Sequence, residues 1–363
     1  MPLVSLEISG FRNIKALKLE CAAGLNVLIG ANAAGKTSFL EAIYFLSRGR
    51  SFRTPRMRDM IHHSARSLQI VARVQGGVRS RPVVAGMAYN GIRSKVRLNG
   101  EPARSLAELT AQLPVLLLNP DSHRLLDDGP QHRRRFLDWG VFHAEARFLQ
   151  VWRRYQAALR QRNAALRTDP SQRALQAWEG ELVAAAEQLD TLRHAFCQAL
   201  AVELVPVLHT VLGVHTVALD YQRGWPAERS LAAVLQDDAV TDRRHGHTRR
   251  GPHRADFSVR LDGEPAAICL SRGQQKLLII ALMLAQARLY QAQHDHPCIM
   301  LIDDLPAELD SDNRQRVLSY LGEQPLQLFI TTISETALAL DWNVWPQARR
   351  FQMTHGDIQE VVQ

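Results

Sequence analysis

Lysine is scarce in this chain. Among 44 basic residues only five are lysine, at positions 15, 18, 36, 95 and 276, and the other 39 are arginine. Cysteine is scarce too. Cys21, Cys197, Cys269 and Cys298 form no CxxC pair and no metal-ligand spacing, so the pattern excludes a disulfide scaffold and fits a reducing compartment. Long apolar runs are missing. The longest, Leu277 to Ala285, is too short to span a bilayer, and the first residues lack a charged-then-apolar export signal, so a cytoplasmic protein without a membrane partner is expected. Low-complexity tracts and internal repeats are also missing, which argues against tails and solenoids. What remains is ordinary globular composition: 363 residues, 46% hydrophobic, 22% charged, with a formal net charge of +8. A basic balance of that size suggests a polyanionic partner.

The chain reads as three segments, 1–120, 121–213 and 214–363. In the first, Leu3 to Ile8 alternates like a strand, and Leu25 to Ile29 is an apolar run ending at Gly30. Phe39, Leu40, Ile43, Tyr44 and Leu46 follow at helical spacing. Further strands are predicted at 68–74, 83–89, 95–98 and 114–118, with Asn99-Gly100 as a turn. The second segment is helical. Pro130 suits the first turn of a helix, and two long amphipathic helices flank a break at Asp169 to Ser171. Charge divides between them: +7 from Pro130 to Arg173 and −4 from Ala174 to Gly213, so an antiparallel pair would attract internally. The third segment mixes strands at 256–261, 298–302 and 326–331 with a helix near 273–291. Buried-type strands interleaved with helices predict an α/β sheet, completed jointly by the first and third segments.

Gly30-Ala31-Asn32-Ala33-Ala34-Gly35-Lys36-Thr37 matches GxxxxGK[ST] between an apolar strand and a helix. Glycines let backbone N–H groups face phosphates, and the helix N-terminus adds positive potential. Lys36 is expected on the β- and γ-phosphates and the Thr37 hydroxyl on Mg²⁺. A compact ammonium suits that slot better than a planar guanidinium, which makes a lysine there informative in an arginine-rich chain. Ile299 to Asp304 is an apolar strand ending in two carboxylates. Asp303 fits the Mg²⁺ shell, and Asp304 fits the group that orients or deprotonates water. Leu270-Ser271-Arg272-Gly273-Gln274 precedes a long apolar helix and forms a second anion cradle, useful if it caps a γ-phosphate held by another subunit.

Phosphate loop, Ser-x-Gly-Gln string and Asp-Asp strand, in that order, resemble the ABC-type ATPase heads of the SMC and RecF group. Leu305 to Asp310 resembles their D-loop. Thr37 and Ser271 lie 234 residues apart, more than in most ABC transporter subunits and much less than in SMC proteins, which resembles the RecF branch. The strings Gly10–Ile14, Arg48–Arg53, Arg134–Gly140, Gln161–Arg167 and Gly251–Asp256 are similar to that family as well. The resemblance implies an α/β ABC-type head with an inserted helical lobe, ATP and Mg²⁺ as ligands, and cofactor contacts from Gly30 to Thr37 and from Ser271, Gly273 and Gln274. It also implies a weak, DNA-stimulated ATPase that dimerises on ATP. It would bind single-stranded and gapped DNA in repair, replication and the SOS response, and work with RecO and RecR.

Three positions depart from the ABC pattern. Asn119 stands where a Q-loop glutamine is expected, Thr331 or Thr332 replaces the switch histidine, and Asp304 replaces a more usual glutamate. These predict slow hydrolysis. Candidate DNA contacts are Arg48, Arg50, Arg53, Arg56 and Arg58, then Arg133 to Arg135, then Arg243, Arg244, Arg249, Arg250 and Arg254. Arg50 and Arg53 are alternatively placed near the nucleotide. Two rival readings are an ABC transporter ATPase subunit, which would need a membrane partner, and an ATP-gated DNA scaffold without significant hydrolysis.

Overall fold

The computed structural model describes residues 2–75, 82–168 and 172–361. It divides into two compact units, residues 1–122 with 290–363, and residues 123–289. Residues 214–289 therefore share a unit with the helical segment, whereas the three-segment reading places them with the C-terminal strands.

The first unit holds two six-stranded sheets. One is antiparallel, in the order Ile14–Glu20, Leu3–Phe11, Leu68–Val74, Val83–Tyr89, Ser94–Leu98, Glu101–Pro102. Its strands alternate buried and exposed residues, as expected of a sheet with one wet face. The Asn99-Gly100 turn joins the last two strands with both residues at positive φ, 51° and 86°, which suits a two-residue hairpin.

The second sheet runs Asp357–Glu360, Arg349–Thr354, Leu25–Ile29, Gln327–Thr332, Ile299–Ile302, Val115–Leu118. The first and third segments do complete this sheet together. Its inner strands pair in parallel, and Leu25–Ile29, Gln327–Thr332 and Ile299–Ile302 are buried along their whole length. Helix Lys36–Arg48 packs its apolar side into the shared core with Phe11, Ile70, Leu301 and Phe329. Because the strands are parallel, the chain leaves Ile29 and Ile302 at the same edge, flanking Thr331 and Thr332. That edge carries the site.

The second unit contains helices Pro130–Ala144, Phe148–Thr168 and Gln172–Leu212, a three-stranded sheet of Val217–Gln222, Asp256–Leu261 and Glu264–Pro265, and most of helix Arg272–Gln293. Pro130 sits in the first turn of its helix. The long helices pair as their charges predict. Arg154 bonds both oxygens of Glu181 at 2.6 and 3.0 Å, and buried Arg162 donates to Glu179 and, at 2.7 Å, to buried Asp242. The break at Asp169 to Ser171 lies outside the described residues.

One expectation is corrected. Among the described residues, helix Leu175–Leu212 is long and apolar enough by composition to cross a membrane. Counting unbroken apolar runs misses it because sparse charges interrupt the sequence. Leu182, Leu189, Leu200, Leu204 and Leu208 on this helix are fully or almost fully buried within the unit, so much of its hydropathy is used in packing.

Candidate nucleotide site

The phosphate loop leaves the buried strand Leu25–Ile29 and turns into helix Lys36–Arg48. Two glycines are required by geometry. A Cβ on Gly30 would stand 2.5 Å from the Met353 carbonyl oxygen, and Gly35 has φ 116°, outside the range of ordinary side chains. Lys36 is buried, and its Nζ donates to the carbonyls of Gly30 at 2.6 Å and Ala31 at 2.9 Å. An ammonium has three donors, so one remains for an anion. Burial lowers the Lys36 pKa, opposed by Asp304 and Asp303.

The acidic strand end meets this loop directly. Thr37 Oγ1 donates to Asp303 Oδ1 at 3.1 Å, and Thr331 Oγ1 donates to the same oxygen at 2.8 Å. Thr331 Oγ1 also accepts the Asp304 N–H at 2.8 Å. Asp303 is 7% exposed; burial raises its carboxyl pKa, and the two hydroxyl hydrogen bonds oppose the shift. Asp304 adopts φ 54° and ψ 56°, a left-handed conformation that aspartate tolerates better than most residues. Thr331, named above as a possible replacement for the switch histidine, links the two carboxylate residues. Asn119 bonds Ser122 through backbone and side chain, closing a short turn, while neighbouring Pro120 lines the cleft.

These groups line a cleft of about 970 Å³ with Arg12, Asn13, Arg53, Asp59, His62, His63 and His355. Sequence reasoning gave no role to Arg12 or Asn13, although both lie in the Gly10–Ile14 string, and it missed Glu41. Arg12 bonds Glu41 through Nε at 2.9 Å and Nη2 at 2.6 Å. The Glu41 carboxylate is fully buried, accepts the Ser51 hydroxyl, and lies 3.5 Å from Arg53. It thereby holds two cleft-lining arginines. Asn13 Nδ2 donates to the Ala33 carbonyl at 3.2 Å, and its buried Oδ1 has no partner.

ATP and Mg²⁺ fit this donor set. The helix N-terminus, Lys36 and Arg12 offer positive potential to phosphates, and Asn13 Oδ1 is a buried polar atom in need of a partner. A hydroxyl and a carboxylate oxygen already in contact suit a small cation that keeps waters and phosphate oxygens as its other ligands. Among the described residues no group of three His, Cys, Asp or Glu side chains forms a separate metal cluster.

The Ser-x-Gly-Gln string opens helix Arg272–Gln293 in the second unit. Ser271, Gly273 and Gln274 are exposed. Ser271 N–H donates to Gln274 Oε1 at 3.0 Å, and Gln274 N–H donates to Ser271 Oγ at 3.4 Å, a reciprocal capping box.

The arginine clusters separate into internal and external members. Arg48 donates to the Val115 carbonyl at 3.1 Å, and burial lowers its pKa to about 10. Arg133 bonds both oxygens of Asp256, and Arg134 donates to the Ala255 carbonyl. These three arginines have partners inside the fold, which charge alone does not reveal. Arg50, Arg53, Arg56, Arg58, Arg244, Arg249, Arg250 and Arg254 are exposed. Arg250 also lies 3.5 Å from Asp238.

The RecF/RecN/SMC N-terminal domain family matches residues 2–345. The DNA replication and repair protein RecF of Chromohalobacter salexigens is 41% identical over 359 residues, covering 98% of this chain and 99% of the relative. RecF of Pseudomonas aeruginosa is 39% identical over 371 residues, covering 99% of this chain and 98% of the relative. Among solved structures, RecF-ATP of the RecFOR pathway superposes with TM-score 0.88 at 22% identity, covering 99% and 98% of the two chains. The Smc head domain of Pyrococcus furiosus superposes with TM-score 0.60 at 15% identity, covering 99% and 96%. The fold is thus the ABC-type ATPase head with a long helical insertion, and the chain belongs to the RecF family of DNA replication and repair proteins.

Proposed function

We propose that this protein is an ATP-dependent DNA-binding protein of recombinational gap repair and replication restart, acting in the cytoplasm as a slow ATPase. The observation that carries the reading is the Thr37–Asp303 contact, which joins the phosphate loop to the acidic strand end inside one cleft. Of the loop Gly30 to Gly35, Ala31, Asn32, Ala33 and Gly35 present backbone N–H groups to the nucleotide phosphates, while the Gly30 N–H is donated to the Thr332 carbonyl and the Ala34 N–H to the Ala31 carbonyl, both at 3.2 Å. Lys36 neutralises the β- and γ-phosphates with its remaining donor. Thr37 and Asp303 hold Mg²⁺, which when bound neutralises charge on the phosphate oxygens. Asp304 orients or deprotonates the attacking water, held by its backbone bond to Thr331.

Ser271, Gly273 and Gln274 of a second copy close over the γ-phosphate, giving a head-to-tail dimer with two enclosed nucleotides. Hydrolysis removes the contacts that bridge the copies, and the dimer opens. A short carboxylate at 304 and a threonine at 331 make the reaction slow, so the protein acts as a timed switch. By its likeness to RecF of the RecFOR pathway, the closed form holds single-stranded and gapped DNA and works with RecO and RecR in recombinase loading.

Nucleotide titration and single-turnover hydrolysis test the reading. Lys36→Met is expected to abolish ATP binding, and Asp304→Asn to keep binding while slowing hydrolysis about a hundredfold or more. Unchanged hydrolysis in Asp304→Asn would refute its role, and unchanged ATP affinity in Lys36→Met would refute the site.

A further inference from the structure

One stretch of this chain carries a large positive excess. Residues 42–100 contain twelve arginines and lysines and a single acid, Asp59, an excess larger than the net +8 of the whole chain. The Asp59 carboxylate is engaged, accepting the Thr54 hydroxyl at 2.9 Å.

The sheet register brings three of these cations to one surface. In Leu68–Val74, Val83–Tyr89 and Ser94–Leu98, residues Leu68, Ile70, Ala72, Val74, Ala85, Met87 and Tyr89 face the core. The opposite face carries Arg73, Lys95 and Arg97, all exposed. Arg97 pairs across with Gly86, and Lys95 with Ala88. The centre of that face is therefore low, and a Cβ on Gly86 would meet nothing nearer than 3.9 Å. Arg93, Lys95 and Arg97 lie at alternate positions and so form a line with a repeat of about 6.6 Å along the strand.

The hairpin leading into this line is rigid. Asn90 Oδ1 accepts the N–H groups of Ile92 and Arg93 at 3.1 and 2.8 Å. Arg58 donates to the Gly91 carbonyl at 3.3 Å and ties the loop bearing exposed Arg56 to the hairpin. Among the described residues, Arg56, Arg93, Lys95 and Arg97 make no ion pair with a carboxylate. Arginines elsewhere do: Arg133, Arg154, Arg162 and Arg193 all have acidic partners within 3.1 Å. The acids on the exposed face lie toward its far side or beyond its edge: Glu7, already paired with Lys18, Glu20, which shares the Ser5 row with Arg73, and Glu101 beyond the edge strand.

We infer that the exposed face of this sheet, with Arg93, Lys95 and Arg97 in line and Arg56 and Arg73 beside them, is a docking surface for the DNA phosphate backbone. Regularly spaced cations over a low surface suit a regularly spaced polyanion, and contact through phosphates alone does not select sequence. One exposed apolar side chain at the hairpin tip, Ile92, is too little for membrane insertion. The inference rests on the proposed DNA-binding function and adds its location.

Fluorescence anisotropy with the full-length protein and a labelled gapped duplex, across a salt series, tests it. Lys95→Ala/Arg97→Ala and Arg56→Ala/Arg93→Ala are each expected to weaken binding about tenfold near 0.1 M salt and to lower the salt slope by about two. Arg153→Ala/Arg160→Ala removes equal charge from exposed positions of the other unit and should change affinity less than about threefold. A fluorescent ATP analogue should bind all three variants as it binds wild type, because none of these side chains lines the cleft. Wild-type DNA affinity and salt slope in both sheet variants would overturn the inference, as would equal loss in the control. No DNA binding by wild type, or binding to anionic vesicles in its place, would overturn the DNA-binding function itself.

Discussion

Glu41 is the residue on which the cleft's geometry most depends. A carboxylate with no solvent exposure is tolerable only if its charge is answered, and here Arg12 grips both oxygens while Ser51 and Arg53 complete the set. Glu41→Gln keeps the volume and removes the charge, leaving Arg12 partly buried without its counterion. We expect a stability loss of about 3 kcal/mol in urea titration and roughly tenfold weaker ATP binding, since both cleft arginines lose their anchor. Wild-type affinity and stability would show that Glu41 holds nothing that matters. The role was illegible in sequence because Arg12 is 29 residues away, and helical periodicity reads a lone glutamate among Leu40, Ile43 and Tyr44 as solvent-facing. That Lys36, Thr37 and Asp303 come together was legible because phosphate chemistry restricts both residue type and local context. His253 shows a second kind of dependence. Its Nε2 faces the Thr248 carbonyl at 2.9 Å, so that nitrogen carries the proton, and Nδ1 accepts the Tyr155 hydroxyl at 2.6 Å. Burial lowers its pKa to about 4, so the native state holds it neutral while the unfolded chain takes up a proton below about 6.5. Its contribution is complete above pH 6.5 and lost as pH falls toward 4, about 3 kcal/mol in all. Between pH 7 and 4.5 wild type should lose more Tm than His253→Gln does, and parallel losses would contradict this.

At the level of elements, the strands were readable from alternation and from unbroken apolar runs. Each predicted strand is present within one residue at its ends except the first, which runs three residues past Ile8 to Phe11, while Ile14–Glu20, Val217–Gln222, Arg349–Thr354 and Asp357–Glu360 were not read. The sheet partners were only partly readable, because pairing Leu25–Ile29 with Gln327–Thr332 requires contacts about three hundred residues apart. Residues 214–289 gave no local sign that they pack with the helices; that grouping rests on bonds such as Arg133 to Asp256 and Arg193 to the Pro252 carbonyl. The start of helix Arg272–Gln293 has two uses that one substitution separates. Ser271 caps the helix within its own chain, and in the proposed dimer it faces the other copy's nucleotide. Ser271→Arg should cost about 1 kcal/mol through the lost cap, keep ATP binding, and lose ATP-dependent dimerisation. Loss of ATP binding by the monomer, or normal dimers, would refute the trans role.

On the scale of the whole molecule, a basic pI of 9.7 conceals an uneven distribution. Many arginines are internal braces, Arg162 and Arg193 among them, each buried against a carboxylate. Residues 42–100 of the first unit, which also supply Arg53 and Asp59 to the nucleotide cleft, hold twelve basic residues against one acid. Composition could announce a polyanionic partner but not where it binds, because charge counts do not distinguish Arg133, bonded to Asp256, from Arg97, exposed beside a glycine. The central claim is that ATP joins two copies through each other's phosphate loop and Ser-x-Gly-Gln string. Light scattering of the Asp304→Asn protein, which should hold ATP without consuming it, tests this most directly. Its mass is expected at about twice 40.8 kDa with ATP and Mg²⁺, and at the monomer mass with ADP or in an added Lys36→Met background. A protein that binds ATP yet stays at the monomer mass would contradict it.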